Sequence, residues 1–305
     1  MSQERIEIVE VGPRDGLQSE SQVLPTATKV EFIRRLAAAG LSRIEVASFV
    51  NPKRVPQMAD AEDVLAALAP LAATRRFIGL VLNTRGFERA RAAGCVEVGM
   101  AIAASESFSQ RNQGCSVEEG VAAWLEISKL ARAAGIRAQI TISTAFGCPF
   151  EGEVASEHVV ELAKRVAAGS PDEIAVADTI GVAVPTQVSG LIGQLRAALP
   201  QVRLRAHFHN TRNTGLANAY AAVQAGVNAL DASCGGIGGC PFAPAATGNI
   251  PTEDLIYMLH RMGVDTGVDL AALIETSRWL QDTLNHAVPG MLVKAGPFPQ
   301  IRQTR

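Results

Sequence analysis

The sequence predicts an α/β protein, a (β/α)8 TIM barrel with an extra C-terminal helix. Three observations predict it. Eight short apolar runs alternate with alanine-rich amphipathic stretches through about 260 residues. The apolar runs are mostly continuous rather than alternating, as strands of a parallel sheet covered on both faces must be. A doubly wound open sheet is the competing arrangement, but no Gly-x-Gly-x-x-Gly follows the first run.

The strands are expected at 6–11, 43–48, 77–82, 97–102, 137–144, 173–177, 203–208 and 229–233. Helices are expected between them at 27–39, 59–71, 86–93, 117–134, 156–168, 185–199 and 214–225. Ala-Gly pairs ending at Gly40, Gly94, Gly135 and Gly226 mark helix ends, because glycine accepts the left-handed conformation found there. Two further helical stretches, 251–262 and 270–284, follow the eighth strand. No linker interrupts the pattern. One domain over 1–305 is expected, with the barrel at about 5–264 and a helical extension at 265–305.

Composition narrows the function. Hydrophobic residues make up 48%, enough for a large core. The net charge is −2 and no long basic run occurs, so no nucleic-acid partner is expected. Arg85, Arg89 and Arg91 read as a solvated helix face. The five cysteines (Cys95, Cys115, Cys148, Cys234 and Cys240) are odd in number and lack zinc-knuckle spacing. A reducing compartment is therefore expected, and a cytoplasmic location. No apolar stretch approaches the roughly 18 residues of a membrane span, and the N-terminus does not read as a secretion signal.

In such a barrel the active site lies at the carboxyl ends of the strands, and the unusual polar residues gather there. His207 and His209, two apart on one strand, share a face and can share a metal ion. Asp15, after the first strand, can add a carboxylate oxygen; Asp15-Gly16 also fits an ordinary turn. Glu45 lies between Ile44 and Val46, so it points into the barrel, where Arg14 is its natural partner. Ser48, Thr144 and Asp178 end the second, fifth and sixth strands, and Asp178 could equally cap a turn. Four glycines between Gly235 and Gly239 read as a mobile or ligand-approaching loop carrying the thiol of Cys240.

Several stretches resemble the 3-hydroxy-3-methylglutaryl-CoA lyases, members of the metal-dependent lyase and Claisen-type barrels. They are Val11-Gly12-Pro13-Arg14-Asp15-Gly16-Leu17-Gln18, Ile44-Glu45-Val46-Ala47-Ser48-Phe49-Val50 with Val55-Pro56-Gln57-Met58, Ala177-Asp178-Thr179-Ile180-Gly181, and Gly238-Gly239-Cys240-Pro241-Phe242-Ala243 leading to Gly248-Asn249. The resemblance runs over nearly the whole chain. It implies Asp15, His207, His209 and Asn249 as ligands of Mg2+ or Mn2+. It implies Arg14 at the thioester carbonyl, Cys240 as a catalytic thiol, and Glu45 and Asp178 within the active-site network. The implied reaction is cleavage of 3-hydroxy-3-methylglutaryl-CoA to acetyl-CoA and acetoacetate, with an acyl-CoA as partner and a homo-oligomer, dimer or tetramer, as the assembly.

The chain departs from the family pattern in two places. After the histidines it reads Asn210-Thr211-Arg212-Asn213, where the pattern has Asp-Thr-Tyr-Gly; Ser21 replaces a usual lysine. Arg212 is expected to add a cation to the acyl pocket, beside Ser48 and Thr144. A paralogue acting on a different 3-hydroxy-3-substituted acyl-CoA is the alternative. A Claisen-type synthase is a third reading, but such enzymes carry a glutamate after Arg-Asp-Gly and an added regulatory domain. Arg111, in the stretch 104–112 that also resembles the family, is expected to be a solvated loop residue.

Overall fold

The computed structural model describes residues 5–239 and 248–299. Eight parallel strands close on themselves in chain order: β1 (Glu7–Glu10), β2 (Arg43–Ser48), β3 (Arg76–Leu80), β4 (Glu97–Ala103), β5 (Arg137–Ser143), β6 (Glu173–Asp178), β7 (Leu204–Phe208) and β8 (Ala229–Ala232). Closure is made by β1 on β8, where Glu7 pairs with Ala229 and Glu10 with Ala232. The expected (β/α)8 TIM barrel is what the chain forms, and the expected strand positions hold to within about two residues, a normal uncertainty at element ends.

The crossover helices are α1 (Thr26–Ala38), α2 (Ala61–Leu68), α3 (Thr84–Ala92), α4 (Glu106–Gln113), α5 (Val117–Ala133), α6 (Ser156–Ala167), α7 (Pro185–Ala198) and α8 (Gly215–Gln224). Behind β8 follow α9 (Thr252–Arg261), α10 (Leu270–Leu284) and the short α11 (Leu292–Ala295). Apolar residues of the outer strand faces, such as Ile44, Val98 and Ile174, pack against the helices in one continuous core. Gly40 and Gly226 end their helices at φ 100° and 87°, a conformation costly for any residue with a Cβ. The stretch 104–112 was expected as a loop. It contains α4 instead; Arg111 is exposed, as expected, and its guanidinium stacks over the Phe150 ring at 4.2 Å.

The interior of the barrel is unusual. Interiors of this fold are commonly filled by branched apolar side chains. Here the apolar set of Val9, Val11, Ile78 and Ala229 is small. Below it, charged residues of alternate strands meet across the axis. Arg43 of β2 donates to Glu97 of β4 (2.9 Å) and Glu173 of β6 (3.1 Å). Glu7 links this layer outward to Arg76 and Arg203. Above, Arg205 of β7 contacts Glu173 (3.1 Å) and donates to Asp231 of β8 (3.0 Å). A column of paired charges thus rises from the amino-terminal end of the barrel toward the carboxyl-terminal rim.

Candidate active site

At that rim the chain leaves β1 into a π-helical turn, Gly12–Gly16, whose carbonyl anchor is Val11: its oxygen accepts from the amides of Arg14, Asp15 and Gly16. Pro13 fits the start of such a turn, since it has no N–H to leave unbonded. The turn holds Arg14 and Asp15 over the barrel mouth. Arg14 Nη1 donates to Asp15 Oδ1 at 2.6 Å, and Nη2 to Glu45 Oε2 at 2.8 Å. Glu45 therefore points inward and pairs with Arg14, as its parity in β2 predicts.

Asp15, His207 and His209 each offer a ligand atom, all within 4.8 Å of one another. The two imidazole centroids lie 5.1 Å apart. Asn249 is brought in by its backbone, which bridges to His209 just beyond β7. Its amide nitrogen donates to Asp15 Oδ2 (2.9 Å) and to the Ile237 carbonyl (3.1 Å). Its Oδ1, like Nδ1 of His209, is buried with no hydrogen-bond partner among the described residues.

The protonation states of Asp15 and His209 suit a cation. Burial would raise the Asp15 carboxyl, but Arg14 and the two imidazoles outweigh it and hold it at about 2. Burial, with His207 alongside, pushes His209 down to about 3, leaving a neutral imidazole. Burial would lower His207 too, yet the bond from its Nδ1 to Asp231 Oδ2 (3.1 Å) raises it. That bond also orients the ring and leaves Nε2 as its free nitrogen. An ionised carboxylate, two imidazoles and an amide oxygen lacking a donor are a mixed nitrogen and oxygen set that fits a divalent ion such as Mg2+ or Mn2+. Arg14 stays charged: Glu45 and Asp15 raise its pKa against the opposing effect of burial.

A cavity of about 1030 Å3 opens beside this cluster. Its walls include Arg14, Asp15, Glu45, His207, His209 and Asp231, and on the β5 side Gln139, Thr141 and Ser143. Other sequence-derived candidates fall elsewhere. Ser48 and Thr144 are fully buried and do not line it. Thr144 Oγ1 donates to the Ser143 carbonyl, and its backbone sits at φ 54°. The Asp178 carboxylate accepts from the amides of Val182 (2.9 Å) and Ala183 (3.0 Å), so it caps the turn after β6. Arg212 does not bring its charge into the cavity: Nη1 donates to the carbonyls of Ile180 and Gly181, both at 2.9 Å. Cys240 lies outside the described residues. Asp231, Arg205 and Gln139 were not singled out from the sequence. Their only local signal is a polar residue, within an apolar strand, at the parity that faces the barrel axis.

A closed parallel barrel that sets a carboxylate, two imidazoles and a paired arginine over one cavity has the architecture of a barrel lyase. The HMGL-like family matches residues 5–280, most of the chain, and the chain belongs to that family. The chain is 46% identical to the (R)-citramalyl-CoA lyase of Chloroflexus aurantiacus, over 98% of this chain and 97% of that one. It is 42% identical to the cytoplasmic 3-hydroxy-3-methylglutaryl-CoA lyase of Homo sapiens, over 96% of this chain and 79% of the human protein. An HMG-CoA lyase from Acinetobacter baumannii, solved in complex with coenzyme A and 3-methylmalate, superposes with a TM-score of 0.91 at 37% identity, covering 99% of this chain and 98% of that one. The chain is a carbon–carbon lyase. Among its described residues no helix is long and apolar enough to cross a membrane.

Proposed function

We propose that this protein cleaves the C2–C3 bond of a 3-hydroxy-3-methyl acyl-CoA carrying a second, free carboxylate, with 3-hydroxy-3-methylglutaryl-CoA as the first candidate. The carrying observation is the convergence of Asp15, His207 and His209 beside the Arg14–Glu45 pair. The coenzyme A bound to the Acinetobacter relative supports a thioester substrate.

Asp15, His207, His209 and Asn249 would hold the divalent cation, which when bound lowers the pKa of a tertiary alcohol. A carboxylate of the site would then take its proton, Asp15 being the first candidate and Asp178 the second. The electron pair of the breaking C2–C3 bond moves into the thioester, giving an enolate, while C3 leaves as a ketone. Arg14 offers a permanent charge to the enolate oxygen and is held in place from both sides by Asp15 and Glu45. A proton returned to C2 releases acetyl-CoA; in the resemblance that donor is Cys240.

A second reading is a citramalyl-CoA substrate, which would yield pyruvate in place of acetoacetate. Two observations favour it: the 46% identity to a citramalyl-CoA lyase, and the departure at Asn210-Thr211-Arg212-Asn213 from the methylglutaryl pattern. The test is a panel of 3-hydroxyacyl-CoA thioesters supplied with Mg2+ or Mn2+, following acetyl-CoA and identifying the oxo acid. Release of acetoacetate supports the first reading and release of pyruvate the second. No acetyl-CoA from any member would refute both.

A further inference from the structure

Among the described residues, Glu10 is a buried carboxylate close to the rim that the chemistry above does not use. Glu10 is the last residue of β1 and is completely buried. Its side chain lies on the outer face of the barrel wall, opposite in parity to Val9 and Val11. Oε1 accepts from the amide of Gly12 and the amide of Cys234, both at 2.8 Å, and Oε2 accepts from the hydroxyl of Thr252 at 2.7 Å.

These three donors belong to three of the segments that build the active site. Gly12 opens the turn that carries Arg14 and Asp15. Cys234 opens the glycine loop, whose Ile237 carbonyl holds the Asn249 amide. Thr252 begins α9, three residues beyond Asn249. Gly12 and Cys234 each stand at the start of a helical turn, where no carbonyl of the same turn can accept their N–H. Contact is close enough that a Cβ on Gly12 would lie 2.6 Å from Oε1. An apolar side chain would fill this space at lower desolvation cost but would leave three buried donors unbonded.

We propose that Glu10 is a positioning residue that sets the first turn, the glycine loop and the Asn249 segment in register, and so fixes the cation-ligand geometry without touching cation or substrate. This inference rests on the metal site of the proposed function. Its test is therefore a binding measurement: Mn2+ alone titrated into the full chain and followed by electron paramagnetic resonance, with far-UV circular dichroism as the check on folding. Glu10→Gln keeps size but can accept through only one oxygen. Mn2+ affinity of the folded variant should fall about tenfold, the scale of outer-shell ligand losses, with kcat reduced and KM little changed. A purely structural role would lower Tm but leave the affinity of the folded fraction intact. A loss under threefold overturns the proposal. Should E10Q fail to fold, T252V removes only the hydroxyl donor, and the same threefold limit decides. Failure of the unaltered protein to bind Mn2+ would overturn the metal site and this proposal with it; equal binding by wild type and variant overturns this proposal alone.

Discussion

Asp231 shows how a single side chain can govern the site without lining up with it in sequence. It is nearly buried, accepts from Arg205 Nη1 and contacts His207 Nδ1. Burial would raise its carboxyl, but Arg205 and the His207 bond hold it below the ordinary carboxylate range, so it is ionised beside the imidazole. An ionised partner at Nδ1 keeps Nε2 free to ligate and makes the ring a better base. Asp231→Asn should weaken Mn2+ binding by about 10- to 100-fold, read in a direct metal titration; unchanged affinity would remove Asp231 from this role. The histidine pair was legible in the sequence because its i, i+2 spacing lies within one strand. Asp231 was not, because its partners come from the neighbouring strand, and only the closed sheet brings them to it.

At the level of elements, α10 backs the active-site loop. Ser277 of α10 lies 3.0 Å from Cys234 through its hydroxyl, at the root of the glycine segment. The start of α10 is set by Asp269, whose carboxylate accepts from the amides of Ala271 (2.9 Å) and Ala272 (3.1 Å). Asp269→Ala removes that cap and should cost about 1 kcal/mol of stability in a denaturant melt; a loss below about 0.3 kcal/mol would show that packing alone sets the helix. The bounds of α10, Leu270–Leu284, match the expected stretch because its apolar residues recur at helical spacing. Helix α4 escaped the same reading for the opposite reason. Its sequence, Glu106–Gln113, is polar nearly all round, and only Phe108 and Ser109 are buried. Glu106 reaches the Val117 amide and Glu151 the Ser107 amide, so side-chain bonds support a helix that has no apolar stripe.

For the molecule as a whole, the charged column inside the barrel couples stability to the site. Arg43 is 1% exposed and sits among Glu97, Glu173 and Glu7. Burial would lower its pKa, but Glu173 and Glu97 raise it, so the guanidinium stays charged. A complete buried ion network contributes little net stability, because desolvation offsets attraction. Removing one member is another matter, since it strands the opposite charges. Arg43→Met should cost about 3–5 kcal/mol, measured by urea unfolding; a loss under about 1 kcal/mol would mean that the carboxylates relax by taking up protons. Glu173 contacts Arg43 and Arg205, and Arg205 contacts Asp231. The same substitution therefore perturbs the chain of contacts that ends at His207.

The amino-acid order by itself determined the barrel, its strand count and the rim residues Arg14, Asp15, Glu45, His207 and His209. Those follow from local periodicity, from strand parity and from the rule that sites of this fold lie at the carboxyl ends of strands. Tertiary structure alone decided which polar residues face the cavity and which turn aside. Arg212 bonds to the carbonyls of Ile180 and Gly181, Asp178 caps its own turn, and Thr144 is buried behind Ser143. It also decided that Asp231, Arg205 and Glu10 join segments far apart in the chain. The physical reason is that a buried polar group must find partners wherever the closed sheet puts them, and local sequence carries no record of that distance.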